Sequence, residues 1–281
     1  MTEKETEHTN ILSTPKHSSI NLKNWKKELQ NNLITTNSRW LSGNSTHPSS
    51  GNFFIPTRDF LPKPDPNFHG IWISEIPYQM ITRFTKIGDL IWSQFGGSGV
   101  DYEVSNILNR RCIINDITPV KNFILKIDSR HIKLDEKADM ILSHPPYWDI
   151  VKYSENEEDG SSKDTLIEFI KWWEEIVKNS IFNLKEDGYF ILACGNIYKN
   201  GEEVELGEIL KNILLLNGFI LKQHIIKDYG ETKGGNAKNY NINYYRQLKG
   251  GYGNFYGDNI YVLKKGKSKN NIKDIYKHII G

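Results

Sequence analysis

Asp89-Leu-Ile-Trp-Ser-Gln-Phe-Gly-Gly-Ser-Gly99 is the stretch that decides the fold. Asp89 to Ser93 is a short apolar strand that runs straight into a glycine turn, Gln94 to Gly99. Val100 to Arg110 reads as a helix, and Cys112-Ile-Ile-Asn-Asp116 as a second strand ending in an acid. Strand, glycine turn, helix, strand, acid is the opening unit of an α/β doubly wound, mostly parallel sheet. The acid follows the turn at close to the roughly 20-residue spacing at which a carboxylate meets a ribose.

Working outward, Lys126-Ile-Asp128 gives a third acidic turn, and Ala138 to Leu142 a further buried strand. That strand leads into Ile141-Leu-Ser-His-Pro-Pro-Tyr-Trp-Asp149. Neither proline supplies a ladder N–H, and each pushes the residue before it to an extended conformation. The expected result is a stiff loop at a strand's carboxyl end, with carbonyls facing outward beside Tyr147 and Trp148. Rigid acceptors next to a flat aromatic face suit a planar, amino-bearing ligand such as a nucleobase. The plainer alternative is a strand exit stiffened by proline and packed by aromatics.

Tyr153 to Lys163 is acidic and contains glycine, so it is expected to be mobile. Asp164 is placed to cap a long helix carrying Leu166, Phe169, Ile170, Trp173, Ile176 and Val177. Tyr189 to Cys194 is a buried strand, Val204 to Leu216 a helix ended by Asn217-Gly218, and Phe219 to Ile226 a sixth strand. Asn259 to Leu263 makes a seventh, antiparallel at the sheet's end. Between the last two lies Lys227 to Asp258, rich in Gly, Tyr, Asn and Lys, with Arg246. The basic tail, 265–281, has a short helix near Ile272 to Ile280.

Upstream, residues 1–20 are polar, and 21–33 carry Leu22, Trp25, Leu29 and Leu33 on one helical stripe. From Thr36 to His69 come five prolines interspersed with Phe53, Phe54, Phe60 and Phe68. This reads as an arm held on the main domain by its aromatics rather than by regular structure. Pro77 opens a helix running to Lys86. The organisation is thus an N-terminal arm (1–69), a main α/β domain (70–264) with an insertion at 227–258, and the tail (265–281).

The chain of 281 residues is 38% hydrophobic and 12% aromatic, enough for a sizeable core. A net charge of +2 permits a nucleic-acid partner without demanding one. Cys112 and Cys194 lie in apolar runs and read as reduced core residues, which points to the cytoplasm. They are too few for a zinc site. No apolar stretch approaches the roughly 20 residues of a membrane span.

With these residues in view, the stretch from about 70 to 264 resembles the DNA amino-methyltransferases. These transfer a methyl group from S-adenosyl-L-methionine to N4 of cytosine or N6 of adenine. Their catalytic signature is Asp, Asn or Ser followed by Pro-Pro and an aromatic, matched here by His144-Pro145-Pro146-Tyr147. Ser143 before it and Trp148-Asp149 after it resemble the N4-cytosine branch. The cofactor signature, Asp-Pro-Phe-x-Gly-Ser-Gly, appears as Ser93-Gln94-Phe95-Gly96-Gly97-Ser98-Gly99. Phe68 to Pro77 resembles the family's segment over the methionine moiety, and Asp116 and Asp128 fall where it has ribose- and adenine-contacting acids. The resemblance implies a seven-stranded Rossmann-like sheet, S-adenosyl-L-methionine as cofactor, and double-stranded DNA as partner. It also implies a cognate restriction endonuclease as a companion outside this chain, with recognition by 227–258 and the basic tail.

Two positions depart from the family's pattern. Ser93 replaces the first acid of the cofactor turn, and His144 replaces the first catalytic residue. The family activates its weakly nucleophilic amino nitrogen with two acceptors, the first side chain and the carbonyl here belonging to Pro145. His144 can accept only when uncharged, and the nominal imidazole pKa is about 6.5. Ser143 is the fallback acceptor, and Tyr147 is expected to stack on a base rotated out of the duplex. N4-cytosine is the favoured target. An N6-adenine enzyme, an RNA amino-methyltransferase and a non-catalytic DNA-binding subunit are the alternatives, the last motivated by Ser93 and His144.

Overall fold

The computed structural model of the protein describes residues 39–41, 60–63, 65, 68–70, 72–228, 248–251 and 257–280. The expected helix at 21–33 and most of the 227–258 insertion, Arg246 included, lie outside the described residues. In chain order the elements are β1 (Arg39–Leu41), α1 (Glu75–Phe84), β2 (Leu90–Gln94), α2 (Val100–Ile107), β3 (Arg111–Asp116), β4 (Leu125–Lys126) and β5 (Ala138–Ser143). There follow α3 (Leu166–Asn183), β6 (Leu184–Cys194), a hairpin of β7 (Ile197–Lys199) and β8 (Glu202–Val204), and α4 (Leu206–Leu216). The chain ends with β9 (Phe219–Asp228), β10 (Gly257–Lys265) and α5 (Ile272–Ile280).

The main sheet runs β1-β9-β10-β6-β5-β2-β3-β4. Seven of these strands form the expected mostly parallel Rossmann-like sheet, and β1 extends it. The antiparallel strand is not at the sheet's end: β10 lies between β6 and β9, antiparallel to both. Nor is the arm held by aromatics alone, because β1 pairs in parallel with β9 and buries Trp40 completely. A three-residue strand flanked by polar sequence has no alternation long enough to read.

Each central strand sends successive residues to opposite faces. On one face Trp92, Ile141 and Phe190 pack with Phe169, Trp173, Ile176 and Val177 of α3 and Leu210 and Leu214 of α4. On the other, Ile91, Leu142 and Ile191 pack with Ile76, Met80 and Ile81 of α1 and Val104 of α2. Burying each such side chain contributes about 1.5–3 kcal/mol. All five residues of β2 are buried, as a strand covered on both faces requires. The start of α3 is one residue later than Asp164 suggests. Thr165 and Glu168 form a reciprocal capping box, so the cap is Thr165.

The chain steps from β2 outward to β3 and β4, then returns to place β5 on the other side of β2. Their carboxyl ends diverge there, and a crevice opens. Its floor is fixed by a buried polar chain. Trp92 Nε1 donates to Asn115 Oδ1 at 2.7 Å, and Asn115 Nδ2 donates to Ile127 O and Ser129 Oγ, both at 2.8 Å. One amide side chain thereby ties together β2, β3 and the loop after β4. Asn115→Ala leaves the indole N–H and two acceptors unpaired, and is expected to lower unfolding stability by about 1–3 kcal/mol in urea denaturation. A loss below about 0.5 kcal/mol would show that water replaces it.

Candidate active site at the strand ends

The cavity at this crevice is lined from four strand ends. Phe95, Gly96, Gly97 and Ser98 follow β2, Asp116 ends β3, Asp128 and Ser129 follow β4, and His144 and Pro146 follow β5. Phe68, His69, Gly70 and Trp72 close it from above, and Tyr153, Glu158, Gly160 and Trp172 from the side.

The turn after β2 needs its glycines. Gly97 has φ +47°, and a Cβ there would lie 3.2 Å from the Phe68 ring. Gly99 has φ +84°, and a Cβ there would lie 2.7 Å from the Phe123 ring. Phe95 takes φ +58° without being glycine, a conformation that costs on the order of 1–3 kcal/mol and is held by its surroundings. Asp116 braces the turn, accepting from Gly97 N with Oδ2 and Thr118 N with Oδ1, both at 2.9 Å. It still faces the cavity. Asp128 pairs with Arg130 at 2.7 Å, and Arg130 also binds Glu158 and Glu175.

Arg130 also explains why the acidic stretch 153–163 is not the loose segment its composition suggests. Glu158 is held by Arg130, and its carbonyl accepts from Trp172 Nε1 at 3.1 Å. Asp159 caps Ser161 N, and a Cβ at Gly160 would lie 2.7 Å from the Trp172 ring. Tyr153 stacks on Phe68 with centroids 6.3 Å apart.

In the Pro-Pro loop the His144 ring stacks on Trp72, with centroids 5.4 Å apart and an interplanar angle of 21°. Its Nε2 lies 3.2 Å from Tyr147 Oη, which lies 3.0 Å from Asp258 Oδ1. Asp258 in turn pairs with Lys227 at 3.6 Å. The carboxylate can only accept, so Tyr147 donates to it and receives the proton on His144 Nε2. Nδ1 is then the acceptor nitrogen of the neutral ring. Burial pushes the imidazole down to about 4, with Asp258 opposing and Lys227 assisting. The nominal value of about 6.5 is therefore corrected, and His144 is uncharged at neutral pH.

Of the residues singled out from sequence, Phe95, Gly97, Ser98, Asp116, Asp128, His144 and Pro146 line one cavity. Ser93, Gly99, Pro145 and Tyr147 are close in the chain to lining residues but are not among those that line it. Ser143 is not brought to it. β5 extends one residue further than expected, making Ser143 the last ladder residue, fully buried between Gln94 and Leu192. The tyrosine is braced rather than free, because its hydroxyl is tied to Asp258 and its ring packs against Gly195. Sequence reasoning missed Asp101, Trp72, Arg130 and Asp258. Asp101, two residues past Gly99, is buried and accepts from Ser93 Oγ at 2.7 Å and Trp72 Nε1 at 2.8 Å. Burial raises its carboxyl to about 6 against those two hydrogen bonds.

A doubly wound sheet with one antiparallel strand and a glycine-turn cavity at its switch point is the frame of a nucleotide-binding α/β domain. The model of the N6/N4 DNA methylase family matches residues 138–279, just over half of the chain, and the protein belongs to that family of S-adenosyl-L-methionine-dependent methyltransferases. The match contains the Pro-Pro loop and reaches into α5. No curated protein sequence matches the chain. Solved structures with a similar chain path include TrmN from Thermus thermophilus, at 13% identity and TM-score 0.46 over 86% of this chain and 79% of that one. Another is an O-methyltransferase from a Brevibacillus brevis multienzyme in complex with S-adenosyl-L-homocysteine. It has 13% identity and TM-score 0.45 over 69% of this chain and 72% of that one.

The lowered imidazole gives a signed prediction. Between pH about 6.5 and 4 the unfolded chain takes up a proton that native His144 refuses, so this residue makes the fold less stable as pH falls through that window. His144→Asn is expected to lessen the loss of stability between pH 7 and 5, read by urea denaturation at both. The His144 ring resonances should not titrate between pH 8 and 5.5, and a midpoint near 6.5 would contradict the stacked, largely desolvated ring.

Proposed function

We propose that the protein methylates an exocyclic amino group of a base rotated out of double-stranded DNA, N4 of cytosine in preference to N6 of adenine. The observation that carries this is that His144 and Pro146 line the same cavity as the glycine turn. The methyl donor and the amino-binding loop would therefore meet in one space.

The cavity fits S-adenosyl-L-methionine on its own chemistry. Phe68, Phe95 and Trp172 offer flat apolar faces, Asp116 and Asp128 offer acceptors to hydroxyl and amino groups, and Gly97 permits close backbone approach. Ser98 Oγ is buried in the wall with no hydrogen-bond partner among the described residues, a polar atom suited to a ligand. When bound, the cofactor supplies an electrophilic methyl group on a sulfonium. The protein's part is to orient the target and make its nitrogen nucleophilic. His144 Nδ1 and the Pro145 carbonyl would accept the two amino hydrogens, which localises the nitrogen lone pair. The stack on Trp72 and the Tyr147–Asp258 brace hold the imidazole in the required tautomer. Residues 227–258, with the basic tail, would contact DNA through interleaved amide, aromatic and cationic side chains. Site-specific methylation of this kind suits restriction–modification, in which the mark protects against a cognate endonuclease. Buried, unpaired Cys112 and Cys194 suit the cytoplasm.

The test is transfer of labelled methyl from S-adenosyl-L-methionine to duplex DNA. His144→Ala is expected to lose at least about a hundredfold in turnover while retaining cofactor affinity, and His144→Ser to keep partial activity. With His144 neutral well below pH 6, the parent should show no acid limb near 6.5 from this residue. An unchanged rate for His144→Ala would pass the role to the Pro145 carbonyl alone. Transfer to RNA instead of DNA would reassign the substrate.

A further inference from the structure

Five carboxylates line the cavity, and four of them are committed. Asp116 accepts two backbone N–H groups, Asp128 and Glu158 share Arg130, and Asp159 accepts from Ser161 N and Ser154 Oγ. Asp101 differs. It is 7% exposed, and the two described partners of its side chain are the neutral Ser93 hydroxyl and Trp72 indole. Among the described residues no cation pairs with it. A buried carboxylate without a cation is expensive to ionise, and its elevated pKa of about 6 reflects that. Each oxygen accepts one hydrogen bond and has capacity for another. Ser98 Oγ, 4% exposed and without a partner among the described residues, lines the same cavity three residues earlier in the chain.

The geometry points to Asp101 as the residue that binds the α-ammonium of the methyl donor's amino-acid end, in place of the acid absent at Ser93. This rests on the reading that the cavity holds S-adenosyl-L-methionine. Ser93 Oγ touches Asp101 Oδ2, so the carboxylate sits within one hydrogen bond of position 93 although it comes from the first turn of α2. Trp72 joins this end of the cavity to the reacting loop. Its N–H holds Asp101 Oδ1 while its ring carries His144. An ammonium seated on Asp101 would therefore lie on the same side of the cavity as the imidazole. Ser98, with its hydroxyl free, is positioned for the neighbouring carboxylate of the same amino-acid end.

The experiment is calorimetric titration of the full chain with S-adenosyl-L-homocysteine and with its desamino analogue, which lacks only the α-ammonium. The parent is expected to bind the complete nucleoside about 10- to 100-fold more tightly than the analogue, as for a charge-assisted contact. In Asp101→Asn that ratio should collapse to within about threefold, chiefly through weaker binding of the complete nucleoside. The Ser93→Asp/Asp101→Ser exchange, which moves the carboxylate across the hydrogen bond, should restore part of it. Equal affinities in the parent overturn the assignment without recourse to any variant. So does an Asp101→Asn protein that weakens both ligands alike, since that outcome marks a purely structural role. A parent that binds neither ligand removes the methyl-donor reading itself, and this assignment with it.

Discussion

Beyond Gln94 and Ser143 the two central strands have no further partners in common, and everything functional in this protein is built on that divergence. β2 leaves its ladder through a glycine turn that needs left-handed backbone. β5 leaves through two prolines that cannot donate. Neither exit can close over the other, so a cavity persists between them. The Trp92–Asn115 contact holds its floor at fixed width.

The site's electrostatics follow from how little water reaches it. His144, stacked on Trp72 and bonded to Tyr147, is held neutral, while Asp101, behind the same indole, is held with a raised pKa. The two groups shift in the sense expected for burial, one down and one up. Their pH effects on stability oppose each other. Native Asp101 binds its proton more tightly than the unfolded chain does, so its contribution is full below about 3.8 and is lost as pH rises through about 6.

Much of this was legible in the sequence because it depends on local chemistry. Glycines at 96, 97 and 99, prolines at 145 and 146, and apolar runs ended by Asp116 announce their backbone consequences directly. What escaped depends on contacts distant along the chain. Asp101 reads as an ordinary polar residue near a helix start until Trp72, 29 positions away, is seen to bond it. Glu158 reads as part of a mobile acidic loop until Arg130 claims it. Ser143 looks like a site residue because it adjoins His144, yet strand pleating turns the two to different surroundings. β10 reads as an edge strand because sequence order says nothing about insertion between β6 and β9.

On the proposed reading, the methyl donor and the amino group of a DNA base meet between the glycine turn and His144. It is tested most directly by base-resolved methylation mapping of DNA from cells expressing the parent protein beside cells expressing His144→Ala. A single sequence context methylated on an exocyclic amino group is expected in the first, and loss of that mark in the second. An unmodified genome in cells holding folded, cofactor-binding parent protein would contradict it.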